Sequence, residues 1–384
     1  VNKRVMAPGV PDVEGLPKAH DVVKVPTALK YLEARGLDEA AAYLRGVAKP
    51  SDPATYLGSS EKQAKNRDLF GKIVCDLLEK MAPDERTAKV VVIDSDLEGS
   101  CGLHHIRKAF PEIYIHGGVM ERGNFSACAG FGMEKGRQGI FGTFSAFLEM
   151  IVSEITMARL NDSNVLCHFS HAGVDWMADN TCHFGVNNFF ADNGLPDGDP
   201  HTRLYFPADQ HQMRAAVERI FHDPGLRFVF STRSGTPDIL DGTGEALFGG
   251  DYRFEPGRDD VVREGSAGYV VSYGEMLYRC LDVVEELKAE GVVVGLINKP
   301  TLNVVDEEMM AKLGKAPFVL TVETQNAKTG LGSKFGSWLL ERGFAPKFGL
   351  LGTSKPGQGG LSEQIPFQGM GHDDIKAKVK ALIG

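Results

Sequence analysis

The sequence predicts an α/β protein with two doubly wound domains, a larger one around a mostly parallel sheet and a smaller C-terminal one. Three observations carry this prediction. The chain has 384 residues, which is more than one hydrophobic core usually organises. From about residue 61 onward, short apolar runs alternate with amphipathic segments, as in a parallel sheet covered by helices on both faces. A glycine-rich, charged stretch over residues 241–265 interrupts this alternation, which then resumes.

The first 64 residues predict an arm or linker without a core of its own. They are irregular and rich in proline, and they contain two short helix candidates, at 26–36 and 37–48. We therefore divide the chain into an N-terminal arm at 1–64, a larger domain at 65–250 and a C-terminal domain at 262–384.

The larger domain begins with a helix and a buried strand. Apolar residues at helical spacing predict a helix over 66–81, and the run "KVVVID" is typical of a strand buried on both faces. The other predicted elements are strands at 112–117, 138–142, 164–170 and 226–233, and helices at 121–135, 143–160 and 209–223.

The C-terminal domain shows the same alternation on a smaller scale. Its predicted strands are 267–273, 292–298, 317–323 and 346–352. Its predicted helices are 274–291, 305–314, 330–343 and 373–384.

The bulk composition excludes several classes of protein. A formal net charge of −9 argues against a nucleic-acid or anionic-membrane partner. No run of 18 apolar residues occurs, so no membrane span is expected, and the first residues lack the apolar region of a signal peptide. The six cysteines are scattered without CxxC spacing, which favours reduced, mostly buried thiols in a cytoplasmic protein.

The usual short motifs of nucleotide-binding proteins and hydrolases are absent. The sequence contains no GxxxxGK[ST], GxGxxG or GxSxG. His168, His171 and His183 lie close to Cys182, but their spacing matches no usual zinc pattern, so no metal site is predicted. We favour polar groups of an active site, because ligands bind at the carboxyl ends of parallel strands.

The stretch "IHGGVMERGNFSACAGFG" raises the question of whether Glu121 is catalytic. A glutamate in the first turn of a helix interacts favourably with the helix dipole, and this alone would explain it. Two further features favour a catalytic role. Gly117 and Gly118 permit close approach of another surface, and "GTFSAF" and "CHFSHAG" bring aromatic side chains to the same sheet edge. A carboxylate beside an aromatic pocket could bind and polarise a heteroaromatic ring.

These motifs, in this order, resemble a known family. "GGVMERG", then "GTFSAF", then "SHAGVDWMADNTCHFG" resemble the pyrimidine-binding domain of transketolase-type, thiamine-diphosphate enzymes. "VVSYGEMLYRCLDVVEELKAEGVVVGLIN" and "VLTVETQNAKTGLGSKFGSWLLERG" resemble the family's C-terminal domain, in a style closer to deoxyxylulose-phosphate synthase and the 2-oxo-acid dehydrogenase beta subunit. The resemblance covers roughly residues 65–384.

The resemblance implies a cofactor site around Glu121. By this match, Glu121 hydrogen-bonds the aminopyrimidine of thiamine diphosphate and favours its imino tautomer, a catalytic task. Phe144 and Phe147 match aromatic walls of the pyrimidine pocket, and Met150 stands where a third aromatic is expected. Ser100, in "SDLEGSCG", matches the passage beside the cofactor, with His104 as a weaker candidate nearby.

The resemblance also implies a substrate site. His171 and His183 match catalytic or substrate-contacting histidines, and Asp179 matches a polar residue that contacts the sugar. Arg233, in "STRSGTP", matches an arginine that holds a substrate phosphate, a task suited to a planar guanidinium. The family's Gly-Glu-Asp-Gly-Pro-Thr-His stretch is "MADNTCH" in this chain, which leaves the substrate preference open.

The family binds diphosphate and Mg²⁺ through a separate N-terminal domain that contains Gly-Asp-Gly, and this tripeptide does not occur in the sequence. The resemblance therefore implies that the chain holds only the aminopyrimidine end of the cofactor. It also implies that Mg²⁺ lies on the other domain, that the isolated chain is inactive, and that the assembly is at least a homodimer.

Three functional hypotheses remain open. The first is half of a transketolase-like transferase that acts on sugar phosphates, with the diphosphate-binding domain supplied by another subunit or segment. The second is the beta subunit of a 2-oxo-acid dehydrogenase, whose two-domain plan fits equally well. The third is a non-catalytic homologue retained as an assembly or regulatory partner, which Met150 and the altered "MADNTCH" segment keep open.

Overall fold

A computed structural model describes residues 25–46, 55–175, 183–195, 200–357 and 364–384. Two helices of the predicted arm fall within these ranges, α1 (Val25–Ala34) and α2 (Asp38–Gly46), close to their predicted positions. None of the helices in the described ranges has both the length and the apolar character that crossing a bilayer requires.

The larger unit contains eight strands and seven helices among the described residues. The strands are β1 (Ser59–Ala64), β2 (Val90–Asp94), β3 (Tyr114–His116), β4 (Gln138–Phe144), β5 (Val165–Ser170), β6 (Thr202–Tyr205), β7 (Leu226–Phe230) and β8 (Thr236–Ile239). The helices are α3 (Asn66–Glu79), α4 (Pro83–Lys89), α5 (Glu98–Cys101), α6 (His104–Ala109), α7 (Glu121–Phe131), α8 (Val152–Leu160) and α9 (Gln210–Ile220).

Six of these strands form one parallel sheet, as the sequence predicts. The strand order is β3-β2-β4-β5-β7-β6, and every neighbouring pair is parallel. The chain moves outward from β2 to β3 and then returns across β2 to β4, so the order reverses between β2 and β4. Helix α7 makes this return connection, so its N-terminus lies after the carboxyl end of the edge strand β3.

The predicted long helix at 143–160 is wrong. Strand β4 continues to Phe144, a 3-10 helix follows over Ser145–Ile151, and only Val152–Leu160 is α-helical. The apolar periodicity of "TFSAFLEMI" suits a helix locally. Tertiary packing decides otherwise, because Phe144 and Phe147 turn towards histidines of the neighbouring loops.

Three strands of the larger unit, β1, β6 and β8, lie outside the predicted pattern. Strand β1 has the polar sequence "SSEKQA", and it pairs antiparallel with β8 in a separate two-stranded sheet. Strand β6 is a four-residue edge strand without a long apolar run. Neither β1 nor β6 has the alternation or the apolar run that identifies a strand.

The second unit is built on a mixed five-stranded sheet. Its strands are β9 (Asp260–Arg263), β10 (Tyr269–Ser272), β11 (Gly295–Asn298), β12 (Phe318–Asn326) and β13 (Lys347–Thr353), in the order β13-β12-β10-β11-β9. Only β9 is antiparallel to its neighbour, and it contains the predicted boundary residue 262. The helices are α10 (Met276–Ala289), α11 (Glu307–Leu313), α12 (Leu331–Glu341), α13 (Ile365–Gln368) and α14 (His372–Ile383).

The two units share a hydrophobic core. Phe206, which follows β6, packs its ring 5.5 Å from that of Tyr273, at the end of β10. The backbone N–H of Phe206 donates to Pro300, and that of Leu302 donates to Leu204. A segment of the second unit therefore continues the edge of the larger sheet, which fixes the two units against each other.

Candidate functional site

Glu121 is the first residue of α7, and its side chain is buried. Across the described ranges, its carboxylate has no hydrogen bond or ion pair with another protein group. Helix α7 packs against β4 and against the 3-10 helix that carries Phe147. Although the side chain as a whole is buried, its carboxylate oxygens are not fully enclosed, so a ligand that presents a hydrogen-bond donor could reach them.

Gly117 and Gly118 shape the turn before Glu121. A Cβ on Gly117 would lie 2.2 Å from Asn124 Oδ1, and Gly118 has a φ of +67°. Asn124 Nδ2 donates to the carbonyl of Gly118 at 2.9 Å and to Ser95 Oγ at 3.1 Å. Packing within this chain therefore requires the two glycines, because they let the turn close on the side chain of Asn124.

Two phenylalanines and two histidines form an aromatic cluster at the carboxyl edge of the sheet. The rings of Phe144 and Phe147 are stacked with centroids 5.8 Å apart. His171 lies 4.1 Å from Phe144, and His183 lies 6.0 Å from Phe144 and 6.1 Å from Phe147. Strand β4, the 3-10 helix and two loops thus bring together four residues that the sequence analysis singled out.

His171 lies buried in this cluster with a φ of 58°, a rare conformation for a residue with a side chain. Burial, together with the positive charges of Arg67 and Arg233, lowers the pKa of His171 well below its usual value, so the ring is neutral. Its Nδ1 lies 3.0 Å from Ser170 Oγ. The direction of this hydrogen bond sets the ring tautomer: a serine that donates to Nδ1 leaves the ring proton on Nε2, and one that accepts leaves it on Nδ1.

His168 has a different environment, although it is only three residues away. Its Nδ1 donates to the carbonyl of Cys101 at 2.9 Å, and its Nε2 lies 2.8 Å from Ser231 Oγ. The ring stacks on Phe70, and burial lowers the pKa of His168 to about 3. His168 is therefore a neutral, fully partnered core residue.

Two arginines lie near His171, and the sequence analysis identified only one of them. Arg67 Nε donates to the carbonyl of Arg233 at 3.1 Å, so Arg67 holds the loop after β7 in place. Arg67 Nη1 also donates to the carbonyl of Ser100 at 3.3 Å. Since Arg67 lies on α3, far away in sequence, no local pattern identifies it. The pair makes this edge suited to an anion.

The remaining predicted site residues are placed differently. Met150 lies in the turn of the 3-10 helix after Phe147, and it is 47% exposed. His104 turns away from the aromatic cluster to contact Asp68 and the Glu98 carbonyl. Asp179 lies outside the described residues.

Asp175, a buried carboxylate that the sequence analysis missed, joins the loops after β5 and β7 to the C-terminal unit. Asp175, which follows the His171 loop, accepts hydrogen bonds from Thr232 and Ser234, on either side of Arg233. Its other oxygen lies 3.6 Å from Arg279 Nη2, on α10. Burial and the nearby Asp175 raise the pKa of Glu275 to about 8, so this neighbour is uncharged at neutral pH.

Comparisons with known proteins agree with this geometry. The family model described as the transketolase pyrimidine binding domain matches residues 62–238, and the model of the transketolase C-terminal domain matches residues 257–347. A Methanocaldococcus jannaschii protein described as a transketolase C-terminal section is 25% identical over 76% of this chain and 89% of its own length. One of the subunits of an apulose-4-phosphate transketolase from Actinobacillus succinogenes is 22% identical over 66% of this chain and 78% of its own length.

Longer relatives match over only part of their length. Human transketolase is 21% identical over 90% of this chain, which spans 53% of that protein.

A solved split-gene transketolase, described as an inactive beta4 tetramer, is 25% identical with a TM-score of 0.70, and the match covers 84% of this chain and 99% of the solved one. The fold and site thus define a protein with a pyrimidine-binding α/β domain followed by a second α/β domain. The chain belongs to the transketolase family, of which it carries the pyrimidine-binding and C-terminal domains.

Proposed function

We propose that this chain is the pyrimidine-binding and C-terminal half of a thiamine-diphosphate enzyme that transfers a two-carbon ketol unit between sugar phosphates. The observation that carries the proposal is Glu121, a buried residue whose carboxylate has no protein partner in the described ranges. It begins a helix packed against the segment that carries Phe144 and Phe147. This combination fits a flat heteroaromatic ring with a protonated nitrogen.

Each residue of the site has a defined task in this proposal. Thiamine diphosphate supplies a nucleophilic carbon when it is bound. Glu121 holds a proton at a nitrogen of the aminopyrimidine, and burial strengthens that hydrogen bond. Phe144 and Phe147 pack against the ring, with Met150 at the rim. Ser100 lines the passage beside them.

The other residues of this edge bind the substrate. We assign the substrate phosphate to Arg233, with Arg67 holding the Arg233 loop in position. His171 is neutral and presents its Nε2 proton to a sugar oxygen, while His183 and Asp179 contact the sugar or the reacting carbonyl. The low pKa of His171 suits a hydrogen-bond donor that keeps its proton arrangement over the neutral pH range.

The proposal requires a second component that binds the diphosphate and Mg²⁺. This chain spans about half the length of the single-chain transketolases that it matches, and most of the length of the C-terminal section and of the apulose-4-phosphate transketolase component. A similar solved chain is described as an inactive beta4 tetramer of a split-gene enzyme. We therefore propose an assembly in which at least two copies of this chain combine with a diphosphate-binding domain or subunit.

Two alternatives share this fold. A 2-oxo-acid dehydrogenase beta subunit would use Glu121 in the same way and act on an oxo acid. A non-catalytic partner would assemble without turnover. Arg67 and Arg233 at the site favour a phosphorylated substrate. Glu121, whose carboxylate has no partner among the described residues, favours catalysis.

The test is the complete assembly with Glu121→Gln. Glutamine keeps the size of the side chain but cannot carry the carboxylate charge, so we expect ketol transfer from xylulose 5-phosphate to fall by about 10²–10⁴-fold. The measurement is the steady-state rate of the assembly, with pyruvate as the competing donor.

Glu134→Gln is the matched control, because Glu134 is exposed and pairs only with Arg137 among its described neighbours. The control should keep the full rate. Turnover of pyruvate but not of the sugar phosphate would favour the dehydrogenase, and full activity of Glu121→Gln would refute the catalytic assignment.

A further inference from the structure

Three metal-ligating side chains outside the aromatic cluster converge on one point. Asp68 lies on α3, and His104 and His105 are consecutive residues of α6. Neighbouring side chains on a helix normally diverge by about 100°. Here, the two imidazole rings lie 3.9 Å apart, and both direct Nε2 towards Asp68 Oδ1. One ligand atom from each of the three residues lies within 4.8 Å of the other two.

The distances are close to those of a tetrahedral metal site. Asp68 Oδ1 lies 2.8 Å from His105 Nε2 and 3.8 Å from His104 Nε2. Two ligands bound to Zn²⁺ at about 2.0–2.1 Å in tetrahedral geometry are about 3.3–3.4 Å apart. Shifts of about half an ångström would bring these three atoms into such a site.

The hydrogen bonds around the cluster position the ligands. His104 Nδ1 lies 3.3 Å from the carbonyl of Glu98, which can only accept, so this nitrogen carries the ring proton. His104 Nε2 points towards Asp68 Oδ1 at 3.8 Å, a separation that leaves space for a metal ion between the two atoms. Lys72 pairs with the other oxygen, Asp68 Oδ2, at 2.7 Å and orients the carboxylate. Such outer partners are typical of metal-ligating histidines and carboxylates.

We propose that Asp68, His104 and His105 bind a divalent transition-metal ion of the Zn²⁺ or Co²⁺ class. Two imidazoles and one carboxylate are the donor set that such ions favour over Mg²⁺ or Ca²⁺. The three side chains are 22–29% exposed, which leaves room for a water molecule as the fourth ligand. The ion would join α3 to α6, and His104 also contacts the Glu98 carbonyl of the neighbouring turn.

The experiment is a titration of the full chain with Co²⁺, which gives a visible absorption band when it is bound in a tetrahedral site. We expect one Co²⁺ per chain, displaceable by Zn²⁺, and a melting temperature that rises with metal concentration. His104→Ala and Asp68→Asn should each weaken binding by at least about tenfold.

His201→Ala is the matched control, because His201 lies beside the carboxylate of Asp162 and outside the three-residue cluster, so it should leave the titration unchanged. Cys75 lies on the same helix, but burial raises its pKa to about 11, so it remains a thiol rather than a thiolate ligand. Circular dichroism of the metal-free variants separates lost binding from lost folding.

Absence of saturable Co²⁺ binding would overturn the proposal. Binding that survives in the His104→Ala/Asp68→Asn double variant would place the metal elsewhere and would equally overturn it. Neither outcome bears on Glu121, because the titration measures no turnover.

Discussion

His168 and His171 show how single residues acquire different tasks within one segment. Both side chains are buried, and burial lowers the pKa of each. The ring nitrogens of His168 are both engaged by Cys101 and Ser231. His171 has a positive φ and lies against Phe144, where it borders the candidate site. The backbone conformation after β5 thus separates a fully partnered core histidine from one that borders the candidate site.

His168 should make the stability of the protein depend on pH. The pKa of His168 is about 3 in the folded protein, below its ordinary value near 6.5, so the unfolded chain binds the proton first. The stabilisation is therefore complete above pH 6.5 and is lost as the pH falls from 6.5 towards 3. We expect the free energy of unfolding to fall by about 1 kcal/mol more between pH 6 and pH 5 in the wild type than in His168→Gln.

Urea unfolding at the two pH values measures this difference. His171 is present in both proteins, so its contribution cancels. His201→Gln, at an exposed histidine, should keep the wild-type pH dependence. An equal pH dependence in His168→Gln and the wild type would contradict the assignment.

Among the secondary-structure elements, the turn at 98–102 depends on close packing against α3. A Cβ on Gly71, in the middle of α3, would lie 1.9 Å from the carbonyl oxygen of Gly102. Gly102 itself has a φ of +74° and ends the short helix α5. Carbonyl oxygens of this turn accept hydrogen bonds from Arg67 and His104. The position of the turn therefore influences both the candidate active site and the proposed metal site.

Gly71→Ala should therefore destabilise the protein although alanine favours helices. Overpacking of this kind costs about 1–3 kcal/mol. Gly130→Ala is the matched control on α7, because Gly130 is exposed and a Cβ there has no neighbour within 4 Å. This substitution should stabilise by about 0.5–1 kcal/mol. Urea unfolding distinguishes the two, and a neutral Gly71→Ala would show that the turn adjusts freely.

Across the molecule as a whole, buried charge joins the loops after β5 and β7 to the C-terminal unit. One carboxylate oxygen of Asp175 accepts hydrogen bonds from Thr232 and Ser234, and the other lies near the guanidinium of Arg279 on α10. Burial raises the pKa of Asp175, and the positive charge of Arg279 opposes that rise. Gly173 lies in the same loop, where a Cβ would contact Thr324 Oγ1 at 2.1 Å. The second unit therefore serves as the support for the loops of the first.

Arg279→Met should test this support. It removes the cation that faces a fully buried carboxylate, so we expect a loss of about 3–5 kcal/mol in unfolding free energy. Adding Asp175→Asn to this variant removes the uncompensated charge and should recover part of the loss. Guanidinium unfolding measures the four proteins of this double-mutant cycle.

Arg258→Met is the surface control, because Arg258 is half exposed and pairs with Glu308 and Asp306. Its loss should be small compared with that of Arg279→Met, because solvent screens exposed ion pairs. A similarly small loss in Arg279→Met would mean that Asp175 does not depend on the C-terminal unit.

The amino-acid sequence alone was enough to predict the fold class, the order of most elements and four members of the aromatic cluster. These features are local or follow from topology: apolar runs and helical spacing identify elements, and the ends of neighbouring parallel strands meet at one edge. Glu121 was recognisable because it begins a helix directly after a strand and two glycines.

Tertiary packing, by contrast, accounts for the break of the predicted helix at 143–160, the pairing of β1 with β8, and the roles of Arg67 and Asp175. Each depends on contacts between residues far apart in sequence, and such contacts leave no local pattern. His104 shows the same limit, because its position beside Asp68 rather than the aromatic cluster follows from the packing of α6 on α3.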